Sequence, residues 1–161
     1  MPNYSTHFQD HHGIEQQTLK NSALLAKLQQ LGRFDIHAPE NRLFLPVNPQ
    51  FADTLGVTPH NGGPLGAYQK GMLERLDDLA RTRDGRAALE GDPAAMDRIV
   101  HRVEQLRDTV KVGLMNGDLN TNTPLGQTAA LTNQKVEDFF RNAWAYNKNH
   151  AQQIEVLKGF T

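Results

Sequence analysis

Phe34-Asp35-Ile36-His37-Ala38-Pro39-Glu40-Asn41-Arg42-Leu43-Phe44-Leu45-Pro46 is the stretch on which the fold turns. Pro39 biases Ala38 away from helix. Phe34 to Ile36 reads as a short extended piece. Arg42 to Leu45 reads as a short strand, stopped by Pro46. Upstream, Leu19, Leu24, Leu25, Leu28 and Leu31 recur at near-helical spacing, so Gln16 to Leu31 is predicted as one amphipathic helix ended by Gly32. Residues 1–13 are polar and read as irregular. Downstream, Val47 to Gly66 holds three prolines and four glycines and reads as a structured loop with one helical turn near Phe51 to Leu55.

The remainder is helical. Ala67 to Arg83 places Tyr68, Met72, Leu73, Leu76 and Leu79 on one face. Asp92 before Pro93 is a helix start signal, and that helix runs to about Met115, where Asn116-Gly117 ends it. Asn120 to Leu131 reads as coil, and Asn133 opens a last helix that buries Phe139, Phe140 and Trp144. The expected class is α+β, predominantly helical, with a small core in residues 1–84 and a helical extension in 85–161 packed on it as one compact unit.

The chain has 161 residues and no cysteine, which excludes disulfides, thiolate zinc sites and a cysteine nucleophile. Lys and Arg total 17 against 18 Asp and Glu, so it is not a bulk polycation that binds nucleic acid through net charge. No apolar run approaches the ~20 residues a membrane helix needs, and no membrane partner is expected. The start, Met1 to His7, lacks the basic and apolar regions of a signal peptide. The expectation is delivery without a classical signal, or a piece of a larger chain. Of seven histidines, His7, His11, His12, His37 and His60 fall in the first 60 residues, where few core elements are legible.

Three segments can carry chemistry. In Asp10-His11-His12-Gly13-Ile14, adjacent histidines point in different directions, so one can ligate a metal while the other addresses a water, and a neutral imidazole serves both near pH 7. Taken alone, the pair is more often two surface histidines. Asn41, before a short strand, can bond backbone or an imidazole; the plain alternative is a turn asparagine, and His37 beside it reads as a loop residue. His60-Asn61-Gly62-Gly63-Pro64 precedes a helix whose free amides favour anions, or it is simply a linker.

The order of the three resembles the HNH/endonuclease VII superfamily, in the branch of bacterial toxin domains named for an Ala-His-His motif. The matching residues are His11-His12-Gly13-Ile14, Phe34-Asp35-Ile36, Asn41-Arg42-Leu43-Phe44-Leu45-Pro46, His60-Asn61-Gly62 and Tyr68, over about residues 7–80. Departures are Asp10 in place of a small residue, no proline after the histidine pair, and Pro64 where many relatives carry a further histidine. The resemblance implies a ββα-metal (His-Me finger) core with added helices and a metal-dependent endonuclease acting on DNA, with RNA still open. By resemblance His12 is the general base, His11 and His60 are the metal ligands, and Asn41 either orients His12 or joins the metal shell. Arg42 and Lys70 are the candidates for substrate phosphates. Mg²⁺ or Mn²⁺ suits these ligands better than Zn²⁺, which stays open. Such domains are often the C-terminal toxin part of larger secreted bacterial proteins, active in a target cell's cytoplasm and blocked by an immunity protein. The alternative is a non-catalytic, metal-stabilised protein-interaction module. Asp10-His11-His12 also resembles the Asp-His-His phosphoesterases, but those need alternating strands and helices that this chain lacks.

Overall fold

The structure, a computed structural model, describes residues 8–59 and 65–159. His7 and His60 lie outside them. The chain is predominantly helical, with a single two-stranded sheet among the described residues. Strand β1 is Phe8–His12 and strand β2 is Arg42–Pro46. They pair antiparallel, with His12 opposite Arg42, His11 opposite Leu43 and Asp10 opposite Phe44. The strand partner of Arg42 to Pro46 is therefore not Phe34 to Ile36, which forms no strand, but the polar stretch that reads as irregular. That stretch has no apolar alternation to betray it, because only one of its faces is covered.

The region predicted as one helix from Gln16 to Leu31 is two: α1, Thr18–Asn21, and α2, Ala23–Gln30. Ser22 divides them. Its backbone is extended (φ −115°, ψ 109°) and its hydroxyl accepts from the Leu25 amide at 3.1 Å, an N-cap that restarts the helix. Leu24, Leu25 and Leu28 are buried, each contributing roughly 1.5–3 kcal/mol. Helix α3, Pro49–Leu55, is capped by Asn48.

Helix α4, Gly66–Arg81, is followed by α5, Arg83–Leu89, a helix not legible in the sequence and started by the Thr82 hydroxyl on the Gly85 amide. Helix α6, Pro93–Met115, begins as predicted, with the Asp92 carboxylate accepting from the Ala94 and Ala95 amides. The predicted last helix is three: α7, Ala129–Arg141, α8, Ala143–Asn149, and α9, Ala151–Lys158, separated at Asn142 and His150. Phe139 and Phe140 are buried as expected. Trp144 is only partly covered, with the Arg102 guanidinium 5.4 Å from its ring centroid.

One hydrophobic core runs from Ile14 through Tyr68, Met72 and Leu76 to Leu106, Val110 and Phe140. It joins both parts of the chain. Tyr68 meets Phe140 edge to face, 5.5 Å between centroids. Beside it, a Cβ on Gly71 would stand 2.4 Å from the Phe140 ring, so only glycine lets α4 and α7 approach this closely. The β1–β2 pair, a hairpin whose long connection carries α1 and α2, meets α4 where Tyr68 reaches His11 and the Gly13 carbonyl, and the 3₁₀ turn Pro39–Asn41 that leads into β2 touches α6.

Candidate active site

Alternation along β1 sends its two adjacent histidines to opposite faces. His11 points inward and is 2% exposed. Its Nε2 lies 3.3 Å from the Tyr68 hydroxyl, which itself donates to the Gly13 carbonyl at 2.6 Å. His12 points to the open face, which it shares with Asp10 and, from the facing strand, with Arg42 and Phe44. The Arg42 guanidinium pairs with the Asp10 carboxylate. His12 and Arg42 thus sit opposite one another at the end of the hairpin.

Asn41 is fully buried and fully bonded. Its Oδ1 accepts from the Ile14 amide at 2.8 Å, and its Nδ2 donates to the carbonyls of Ile14 at 2.9 Å and Ile36 at 2.8 Å. Its own carbonyl accepts from the Gly13 amide at 2.7 Å. One side chain therefore fastens the segment just after His12 to the segment just before His37. The consequence is visible at the surface, where His12 Nε2 lies 3.2 Å from His37 Nδ1 with the rings nearly perpendicular. His37 is further held by its amide, which donates to Asp35 Oδ1 at 2.9 Å.

The electrostatics separate the groups. Partial burial, and then the neighbouring His37, hold the His12 pKa below its ordinary value, which favours a neutral ring. Burial pushes Glu15 up to about 7, and its Oε1 has no hydrogen-bond partner. Burial, and then Glu15, push the Tyr68 phenol well above its ordinary value, so it stays a donor. Lys111 of α6 is lowered, chiefly by burial.

The structure brings His12 and Arg42 together and sets Asn41 directly beneath them. Asn41 makes no contact with the His12 ring; the group on that ring is His37, which the sequence offered only as a loop residue. The nearest signal was Ile36 and His37 preceding the Pro39 turn, but their distance from His12 depends on a fold the sequence did not show. Lys70 is not brought to the imidazoles. Tyr68 and Lys70, two residues apart on α4, face different ways, and Lys70 borders a hollow with Glu74, Arg75 and Glu137. For His11 to act as a metal ligand, its Nε2 must leave Tyr68 or its Nδ1 must serve. Among the described residues no group of three or more His, Asp or Glu side chains could hold a metal ion. With His60 outside them, the described residues alone do not compose the metal site that the resemblance implies.

A cleft of about 550 Å³ is lined by Asp53, Asp118, Lys135, Asp138 and Tyr146 among others and by no residue of the hairpin. Its size does not bring it to the imidazole pair, and the hairpin end is the chemically equipped surface. No described helix is long and apolar enough to cross a membrane. No known protein family matches the chain, and no curated protein or solved structure is significantly similar to it.

Proposed function

We propose that the chain is an endonuclease that hydrolyses DNA phosphodiester bonds with His12 as general base, built on a ββα-metal core formed by β1, β2 and α4. The observation that supports this best is the His12 ring. It stands on the open face of the hairpin, opposite an arginine, with one nitrogen engaged by a second imidazole. A base needs one ring nitrogen held so that the other carries a defined lone pair. With Nε2 turned to His37, His12 Nδ1 is the nitrogen that takes the proton of the attacking water. The lowered His12 pKa keeps this lone pair available at neutral pH. Arg42, though paired with Asp10, is half exposed and lies where a substrate phosphate would arrive.

In the same reading the domain is the toxin part of a secreted bacterial protein, held by a cognate immunity protein, and His11 and His60 are the proposed ligands of a divalent cation. The alternative, a metal-stabilised interaction module, needs a closed four-ligand site, which is hard to assemble in a chain with no cysteine and with Pro64 where a further histidine would stand.

The test is nicking of supercoiled plasmid with Mg²⁺, Mn²⁺ or Zn²⁺, with and without chelator. The expected result is cleavage that His12→Ala lowers by about 10²–10⁴-fold while the fold is retained. Absence of DNA cleavage with all three ions overturns the reading. Cleavage that persists in His12→Ala removes His12 from the role of base.

A further inference from the structure

Away from the hairpin, the chain that leaves α6 closes onto the end of α3. Gly117 makes the turn with a left-handed φ of 76°. A Cβ there would overlap the Gly56 carbonyl oxygen, so only glycine allows this approach. Just beyond, the Thr121 amide donates to Thr58 Oγ1 at 3.0 Å, and the Thr121 hydroxyl donates to the Pro59 carbonyl at 3.2 Å. Both threonines are fully buried. The two segments are thereby stitched together along one side of the 550 Å³ cleft, to which α7 and α8 add Asp138, Phe139 and Tyr146. Its volume falls within the roughly 300–1,000 Å³ of ligand sites.

Asn120 is the residue that this packing leaves unserved. It borders the cleft and is only 8% exposed. Its backbone is fixed on both sides, by the Leu119 amide on the Gly113 carbonyl at 3.0 Å and by the bonds of Thr121. Yet its carboxamide makes no hydrogen bond among the described residues. A carboxamide offers an acceptor oxygen and two donors, and one this buried ordinarily has a partner. The space that Asn120 borders is the cleft, so the absent partner belongs to a guest there.

The lining charges say what kind of guest. Asp53, Asp118 and Asp138 stand against one ammonium, Lys135, which disfavours a phosphate. Asp118 is held in place, its Oδ2 accepting from the Tyr146 hydroxyl at 2.7 Å, and that hydroxyl accepts from Asn116 Nδ2 at 3.2 Å. Asp53 makes no ion pair among the described residues. The three carboxylates come from separate elements and are not gathered as a metal ion requires. A guanidinium, with five donors in a planar fork, can serve separated carboxylates. Leu125 on the wall and Leu55 beside Gly56 are half-exposed and offer apolar cover to an aliphatic stem. A peptide group complements Asn120 from both ends, its N–H meeting Oδ1 and its carbonyl meeting Nδ2.

We propose that this cleft is the docking site for a basic polypeptide segment of a protein partner, with an arginine side chain entering among the three carboxylates and its peptide group paired with the Asn120 carboxamide. The site goes beyond the nuclease reading and stands apart from it, since no residue of the hairpin lines the cleft.

The experiment uses the full chain, labelled with nitrogen-15. It is titrated with the tripeptide acetyl-Leu-Arg-Leu-amide, with the same tripeptide carrying glutamate in place of arginine, and with agmatine. Agmatine has the guanidinium and an aliphatic stem but no peptide group. The assigned Asn120 side-chain amide signal is followed by NMR. The arginine peptide should shift it saturably and bind more tightly than agmatine, and the glutamate peptide should leave it in place. Asp118→Asn should weaken the arginine peptide by about 2–5-fold, the worth of a solvent-exposed ion pair. Asn120→Ala should bring the peptide and agmatine to equal affinity, because only the peptide uses the carboxamide. The Asn120 shift is read in the parent, so the test stands even where a variant fails to give a cooperative melt. An unmoved Asn120 signal, or equal binding of the glutamate peptide, overturns the proposal. Agmatine binding as tightly as the arginine peptide overturns the polypeptide in favour of a free organic cation. An Asn120 signal that moves with protein concentration alone overturns it in favour of a second copy of the chain.

Discussion

His12 and His37 form a couple whose spacing is set by a third residue that touches neither ring. Asn41 fastens Ile14 and Ile36, so the two imidazoles arrive 3.2 Å apart by construction of the backbone. With the ordinary histidine value at 6.5, the lowered His12 pKa puts the acid limb of the cleavage profile below 6.5, because the base fails only once its ring is protonated. His37 contributes to that lowering, since two rings in contact resist a shared positive charge. Its replacement should therefore move the limb upward. His37→Ala is expected to reduce kcat by about 10–100-fold, as loss of an orienting partner does, with KM little changed. The acid limb should shift toward 6.5 in the same variant, while His37→Asn, which can still bond the ring, should recover part of kcat. A pH–rate profile of the two variants checks this. A limb that stays in place with kcat intact would show that His37 neither holds nor tunes His12.

Elements that carry their own signals were legible, and those that depend on a partner were not. Asp92 with Pro93 announced α6 because a cap and a fixed φ act locally. Strand β2 was readable from Leu43-Phe44-Leu45 ahead of Pro46. Strand β1 was not, because Gln9, Asp10, His11 and His12 have no apolar face and become a strand only by pairing with β2 and by seating His11 on Tyr68. Ser22 was hidden inside a good leucine period, and its capping bond outweighs the continuity of that period. Among the site residues, His12 and Arg42 were named from the sequence and do share a face. Asn41 was expected to orient His12 or join the metal shell, and its side chain instead takes the other partner the sequence offered, the backbone, at Ile14 and Ile36. The α4–α7 contact offers a test at this scale. Gly71→Ala would drive a methyl into the Phe140 ring, whose nearest atom is only 2.4 Å from the new Cβ position. Phe140 is buried and packed on Tyr68, so it cannot swing away freely. The expected cost is about 1–3 kcal/mol. Chemical denaturation would read it as a lower midpoint at unchanged slope, and an unshifted midpoint would mean that the two helices are free to separate.

At the scale of the molecule, one hydrophobic core joins both parts of the chain, and its stability is linked to the protonation of a buried carboxyl close to the proposed site. Glu15 follows the Gly13-Ile14 segment that Asn41 clamps, and it is a buried carboxyl with an unpartnered oxygen. Folding raises its pKa from 4.5 to about 7 by burial. A raised carboxyl pKa means that the folded protein holds this proton more tightly than the unfolded chain does. Below 4.5 both states are protonated and burial exacts no ionic penalty. As the pH rises from 4.5 through about 7 the unfolded chain ionises first, and folding loses stability until both states are charged. The full loss is at most about 3.5 kcal/mol, the rise from 4.5 to about 7 converted at roughly 1.4 kcal/mol per unit. Glu15→Gln keeps the shape and removes the charge. At pH 8 it should therefore melt higher than the parent, by roughly 2–4 °C for each kcal/mol gained in a domain of this size. Near pH 4.5 the two should melt together, since all other titrating groups are common to both. Thermal melts of the pair across this range decide the matter. A difference that does not change with pH would show that Glu15 is solvated in the folded protein, and that its unpartnered oxygen is met by water rather than kept dry.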